Sequence, residues 1–272
     1  GLVCLIFDPH VVGFLVTILA ILGSVIFGAI WGIIPGYLQA KRGSHIVITT
    51  IMFNFIAAAL MVYLLVNVII EPGQMSPETR DFASGVGLVQ IHILAKYLGL
   101  EMAMSPLNLS FIVALTVSVG FWFLVWRTKF GYEVRSLGHS ETAAIYAGIK
   151  VSSTIIIVMA ISGGLAGLVA INELLGVHNK LLLGFTAGYG FTGIAVALMG
   201  RNHPVGIFLA SLLFGALYQG GTELDFEFSS ITREMVLLIQ GLIILFSGAL
   251  AYMLNPLVER IYIKYYGNYN NA

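Results

Sequence analysis

Apolar positions along this chain come in long blocks. Seven stretches, near residues 11–40, 45–69, 107–126, 151–173, 181–200, 203–219 and 232–254, are long enough to cross, or nearly cross, a membrane, whose hydrocarbon layer is about 30 Å thick. Such blocks predict helices, because a helix satisfies its backbone donors and acceptors internally and lipid offers no substitute. The first block is too long for one straight span, and Pro35 is expected to kink it, with Gly36 loosening it further. Two stretches break the plain pattern. Within the polar excursion 70–106, Leu88, Ile91, Ala95 and Leu98 fall on one helical face, which predicts a short helix lying on the membrane surface. Within 181–200, Gly184, Gly188, Gly190 and Gly193 crowd together in GFTAGYGFTG. Each glycine weakens a helix by up to about 1 kcal/mol relative to Ala. A broken helix is therefore expected there, buried in protein or lining a wet path, since loose backbone is not tolerated against lipid.

Finer spacing adds two expectations. Ser24, Gly28, Gly32 and Gly36 recur every fourth residue, and Gly163 and Gly167 repeat that interval. Stripes of small residues let helix backbones approach closely, so these predict helix packing within the subunit. Thr50, Asn54, Ala57 and Met61 share one face of the second block. Asn54 is costly to turn toward lipid. It either bonds to a neighbouring helix or lines a path for a polar, uncharged solute.

Composition sharpens the class. Only 10% of the 272 residues are charged and 58% are hydrophobic, against about 25% charged in an ordinary soluble domain. The fold expected is an all-α, polytopic membrane bundle forming one domain over 1–272. The net charge is zero, which argues against a nucleic-acid partner. A lone Cys4 excludes an internal disulfide. The chain shows neither a start Met nor a basic leader, and it is expected to lack N-terminal spans of a longer protein. Basic residues give the orientation. If the turn at 41–44 is cytoplasmic, the inside holds Lys41, Arg42, Arg127, Lys129, Arg135, Lys150, Arg201, Arg260 and Lys264. Arg80, Lys96, Lys180 and Arg233 fall outside, together with most acids, Glu173 included. That split obeys the positive-inside rule and places the C-terminus in the cytoplasm.

Chemistry-bearing motifs are scarce. No glycine is followed by lysine, so no phosphate-cradling loop exists in this chain. The six histidines are scattered, and no catalytic or metal-type cluster is visible, so neither catalytic residues nor a metal is expected. No span centre carries a charged residue, which counts against an ion-coupled carrier. What stands out is RSLGHSETAAIYAGIK, residues 135–150. Ser140 is placed to cap a helix, Glu141 suits its first turn, Ala143, Ala144 and Ala147 keep it slim, and Gly148 ends it. Such a helix fits a groove on a partner protein, or lies idle on the membrane surface.

The stretch GHSETAAIYAGI at 138–149 resembles the G-x-N-x-x-A-A-x-Y-A-G-I cassette of bacterial ABC importer permeases, in the branched-chain amino acid and simple-sugar permease superfamily. WGIIPGYLQAKRGSHIVITTIMFN (31–54), ISGGLAGLVA (161–170) and YGFTGIAVALMGRNHPVGI (189–207) agree in the same order, the last looking most like the nucleoside (guanosine/uridine-type) branch. Ser140 departs from the usual Asn, and family members carry further N-terminal spans. The resemblance implies a bacterial inner-membrane permease that forms half of a pore. Its partners would be a cytoplasmic ATPase subunit holding ATP and Mg, a second permease chain and an external solute-binding protein. It also implies an ATPase-coupling element of Gly138, Ser140, Glu141, Ala143, Ala144, Tyr146 and Gly148. A nucleoside path would be flanked by Thr50, Phe53, Asn54, Phe185, Tyr189, Phe191 and Thr192, the aromatics stacking on a base. Ribose-like sugars and branched-chain amino acids are the alternative solutes. An ion-coupled carrier is the rival class.

Overall fold

The computed structural model describes residues 1–227 other than 9, 71, 72, 74, 84, 98, 100–105 and 187, together with 235, 238–243 and 245–246. These fall into two units, 1–187 and 188 onward, each described by itself. Among the described residues the regular elements are all helical. Five of the helices are long and apolar enough to cross a membrane: Gly13–Arg42, Ile46–Ile69, Ser110–Arg127, Val151–His178 and Pro204–Leu224. The chain is an all-α, multi-pass membrane protein.

The first unit opens with α1 (Leu2–Phe7) and the long α2 (Gly13–Arg42), which runs through Pro35 without ending. Then come α3 (Ile46–Leu64), continued by a π-helical turn over Leu65–Ile69, the short α4 (Ile91–Tyr97) and α5 (Ser110–Arg127). Next are α6 (Lys129–His139), α7 (Glu141–Tyr146) and α8 (Val151–Gly167). α4 falls where the surface helix was expected, although Leu98 lies outside the described residues.

The most extensive helix pairing joins α2 to α8. Its cause is the small-residue spacing. A Cβ on Gly28 would overlap the Gly163 carbonyl, one on Gly32 the Met159 carbonyl, and one on Gly167 the Ser24 carbonyl. Gly36 lies against the Met159 side chain at the next step. The two helices therefore run antiparallel with their backbones touching over about two turns, the close packing within the subunit that the stripes predicted. The Ser152 hydroxyl adds a bond to the Ala40 carbonyl at 3.2 Å, near one end of this clasp. At the other end Cys4, Val16, Ala20, Phe82, Val86, Ile171, Leu174 and Leu175 make a buried apolar cluster.

α8 differs from expectation at that end. The sequence ended the span near residue 173 and placed Glu173 on the outer side. The helix instead continues as a π-helical segment, Ile171–His178, which buries Glu173. Burial is tolerated because the carboxylate is partnered. Asn172 Nδ2 donates to Glu173 Oε1 at 3.0 Å, and His178 Nε2 lies 3.8 Å from Oε2. Asn172 in turn accepts from the Ser110 hydroxyl at 2.7 Å and from Asn108 Nδ2 at 3.2 Å, tying α8 to the start of α5.

The second unit contains α9 (Tyr189–Met199) and α10 (Pro204–Glu227), joined by a tight turn in which Gly200 and Gly206 touch backbone to backbone. Val196, Ala210 and Phe214 form its small core. The expected span 181–200 is not one helix. Residues 183–186 are turns, and Gly184 and Gly188 sit at φ 75° and 80°. Helix begins only at Tyr189, and Gly190 and Gly193 lie within it. Eleven residues of α9 rise about 16 Å, roughly half the hydrocarbon thickness. Of the expected span 232–254, only 235, 238–243 and 245–246 are described, as helix. Its remainder and the tyrosine-rich tail lie outside the described residues.

Replacing Gly163 with Leu is expected to force the α2–α8 backbones apart and cost about 2 kcal/mol or more. Gly120→Ala, where an added Cβ meets nothing within 4 Å, should be neutral or stabilising by up to about 1 kcal/mol. Thermal unfolding of the two variants in detergent measures the difference.

Candidate functional site

The end of the first unit that carries Lys41, Arg42, Arg127, Lys129 and Lys150 is built as a compact foot. α5 stops at Arg127, and Thr128 turns the chain. Its hydroxyl donates to the Leu124 carbonyl at 2.5 Å and accepts from the Gly131 N–H at 3.0 Å, capping α6. Gly131 is buried against the Leu124 and Val125 carbonyls, so the elbow is tight. Ser140 then caps α7 by accepting from the Ala143 N–H at 3.3 Å. Gly148, at φ 79°, turns the chain out of α7. The Ile149 N–H donates back to the Ala144 carbonyl at 3.0 Å.

Exposure sorts the cassette. Tyr146 is 93% exposed, while Ala144 is 1% exposed. Gly138, Glu141, Ala143 and Gly148 are also exposed, and Ser140 is half-buried. α7 packs on α6 and on the start of α8. Ala144 therefore turns inward, and within the set proposed from sequence it alone offers no surface to a partner. Alanine spacing could not separate it from Ala143 and Ala147; only the docked position of α7 does.

The path residues divide between the units. Phe53 on α3 meets Trp31 on α2 edge to face, with ring centroids 5.7 Å apart and an interplanar angle of 73°. Trp31, Ala57 and Met61 border an apolar cleft of about 210 Å³ between α2 and α3. Thr50 is half-buried, and its hydroxyl donates to its own helix at Ile46 and Val47. Asn54 is exposed and makes no side-chain hydrogen bond among the described residues. Phe185 is half-buried and packs against the apolar cluster around Leu174 and Phe82. In the second unit Tyr189, Phe191 and Thr192 lie in the first turn of α9 and are exposed, Phe191 by 77%. Sequence reading missed Trp31 as a site residue. Its signal was position: it directly precedes Gly32 of the small-residue stripe, so the clasp fixes which way it points.

At the opposite end, residues 79–83 and 85–88 are pinned over the helix ends. The Phe82 N–H donates to the Asn179 carbonyl and the Leu88 N–H to the Leu175 carbonyl, both at 2.8 Å. Thr79 and Leu181 exchange two bonds of 3.0 Å. Arg80 grips Asp8 in a two-pronged contact of 2.6 and 3.0 Å, and the Ala83 N–H adds a third donor at 3.0 Å. The Arg80 guanidinium hydrogen bond is the main cause holding the Asp8 carboxyl below its usual range, against the opposing effect of burial.

The first unit is thus a bundle of membrane-spanning helices with an exposed capped helix at its basic end and a pinned cap at the other. The chain belongs to the family described as the branched-chain amino acid transport system permease component, whose model matches residues 4–248. It is 35% identical over 246 residues to the guanosine ABC transporter permease protein NupP of Bacillus subtilis (strain 168), covering 89% of this chain and 68% of that one. The nucleoside ABC transporter permease protein NupB of Lactococcus lactis subsp. cremoris (strain MG1363) is 30% identical, covering 88% of this chain and 65% of that one. The glucose ABC transporter permease protein TsgB13 of Haloferax volcanii is 31% identical, with 84% and 60% covered. The chain thus spans roughly two thirds or less of the length of these relatives. No solved structure matches it.

Because Asp8 is lowered in the folded state, its contribution is complete above the ordinary carboxylate pKa of about 3.9 and is lost as pH falls through the lower folded value. Asp8→Asn should loosen the cap already at neutral pH. Arg80 is 40% exposed, so the cost is about 1–3 kcal/mol, below that of a fully buried pair. Hydrogen exchange of residues 75–97 should show faster exchange in the variant at pH 7, and in the parent only under acid.

Proposed function

We propose that this chain is the pore-forming subunit of an ATP-driven importer in a bacterial inner membrane, with nucleosides as its solutes. The observation that carries the reading is α7: a capped helix at the basic end that buries Ala144 and presents Tyr146 almost fully to the surroundings. A tyrosine with a large exposed ring on a rigid helix is a strong anchor for a protein partner. The basic end is cytoplasmic by the positive-inside rule, which puts the C-terminus inside. The partner at α7 is an ATPase subunit, which holds ATP and Mg. A second permease chain completes the pore, and a solute-binding protein delivers to the pinned cap. Glu141, Ala143 and Tyr146 make the partner-facing surface, with Gly138, Ser140 and Gly148 shaping it. ATP-dependent movement of the partner is passed to α8 through the α7–α8 contact, and packed interfaces convert it into a switch between discrete arrangements.

Support for nucleosides comes from the named solutes of NupP and NupB and from aromatic side chains at the path. Trp31 and Phe53 form a rigid edge-to-face pair, and Phe191 stands exposed at the start of α9. Flat bases stack on such rings, and stacking contributes about 1–3 kcal/mol per base in other proteins. Asn54 and Thr50 in the first unit, and separately Tyr189 and Thr192 in the second, offer polar atoms to a sugar or base edge, while Phe185 acts as packing behind the turn. A sugar is the second reading, favoured by the likeness to the glucose permease TsgB13.

Tyr146→Ala should weaken capture of the ATPase subunit by about 30-fold, the loss of about 2 kcal/mol typical of an aromatic anchor, with thermal stability unchanged. Ala144→Arg should instead lower stability. Co-purification with the ATPase and nucleoside uptake by the reassembled complex in vesicles measure both. Unchanged ATPase capture by Tyr146→Ala rejects the coupling surface. Uptake of labelled guanosine should be competed by uridine and not by glucose; competition by glucose alone moves the solute to sugars.

A further inference from the structure

The foot of α5 carries a set of groups that the transport cycle described above does not use. Arg127, in its last turn, is exposed and lies over the Trp122 ring, 5.6 Å from guanidinium carbon to centroid. Among the described residues no protein acceptor meets the Arg127 guanidinium or the Trp122 indole N–H. Lys129 has a 90% exposed side chain, and its one ion-pair partner, Glu133, is 4.0 Å away. On the same flank of α5, one and two turns above Arg127, Phe123 and Val119 are 57% and 66% exposed. The flank therefore reads apolar along the span and cationic at its basic end. The Thr128 cap and the buried Gly131 fix this end rigidly, so Lys129 stays within two residues of the hydrocarbon boundary.

We infer that Trp122, Arg127 and Lys129 form a docking site for the headgroup of an anionic phospholipid in the inner leaflet. The acyl chains lie along Phe123 and Val119, and the headgroup phosphate is held by the guanidinium fork, the indole N–H and the Lys129 ammonium. Three features favour lipid over the ATPase subunit as occupant. The cations continue an exposed apolar flank of a membrane span. A tryptophan with an open N–H suits the hydrocarbon–water boundary, where one edge is dry and the other wet. A planar guanidinium with free donors matches phosphate in a two-pronged contact. Basic groups just cytoplasmic of a span are drawn to anionic headgroups, and the attraction weakens with salt.

The chain has three tryptophans, so Trp31→Phe and Trp126→Phe leave Trp122 as the sole indole reporter. The full chain, in vesicles of phosphatidylcholine with a rising fraction of bromine-labelled phosphatidylglycerol or bromine-labelled phosphatidylcholine, is read by quenching of Trp122 fluorescence. The expected result is several-fold preferential quenching by phosphatidylglycerol. That preference should fall with salt, vanish in R127Q/K129Q and survive in R127K. As a readout independent of the tryptophan changes, the parent chain extracted in detergent should retain phosphatidylglycerol by native mass spectrometry, and R127Q/K129Q should lose it. Equal quenching by the two lipids overturns the inference. So does a preference unchanged in R127Q/K129Q, or a variant that keeps its lipid and loses the ATPase subunit, which would assign the cations to the protein partner.

Discussion

Backbone contact between α2 and α8 is the constraint on which the first unit rests. Lipid gives no hydrophobic drive to bring two apolar helices together, so the association depends on how closely their surfaces fit. Ser24, Gly28, Gly32 and Gly36 on one helix, and Gly163 and Gly167 on the other, remove the side chains that would hold the backbones apart. The contact also fixes rotation. With Gly32 facing α8, Trp31 is directed toward Phe53 and the α2–α3 cleft. With Gly163 facing α2, the far end of α8 brings Ile171, Leu174 and Leu175 onto Val16 and Ala20.

The clasp joins two ends with different chemistry. At the basic end α7 rests on α6 and α8 and shows Tyr146. At the other end the widened π-helical turn holds Asn172 and the buried Glu173 in a part-buried hydrogen-bond network with Asn108 and Ser110, and His178 lies 3.8 Å from the carboxylate. π-Helical turns recur at functional sites because they place one extra residue where a regular helix has none. Here the extra width lets a carboxylate and an amide enter the interior side by side. α8 and its π-helical continuation thus reach from the exposed α7 to the pinned cap.

Much of this was legible from residue spacing. Continuous apolar blocks located five of the seven expected spans to within about five residues, because a membrane leaves the backbone no other solution. The four-residue stripes announced the clasp, and Ser140 with Gly148 announced both ends of α7. Other features were not legible, for physical reasons that differ case by case. Glu173 looked like an external acid at the end of a span; its burial rests on Asn172, which Asn108 and Ser110, more than sixty positions away in the chain, hold in turn. Ala144 looked equivalent to Ala143, since only tertiary contact distinguishes the faces of a slim helix. The packing of Phe185 on a neighbouring apolar cluster was not legible either, because the residues of that cluster come from distant parts of the chain. The glycines of 181–200 were read as breaking a helix, but which of them turn the chain, and where helix resumes, was not legible. In the structure Gly184 and Gly188 adopt left-handed turns that delay its start to Tyr189.

The central claim is that the α2–α8 body carries the exposed helix to the inner face of the membrane and the pinned cap to the outer face. Labelling with a membrane-impermeant maleimide tests it most directly, in a Cys4→Ser background with a single cysteine placed at Tyr146 or at the exposed Ser76. The position-76 cysteine should label in intact spheroplasts, and the position-146 cysteine only in inside-out vesicles. Labelling of position 146 from outside, or of both positions from the same side, would contradict the account.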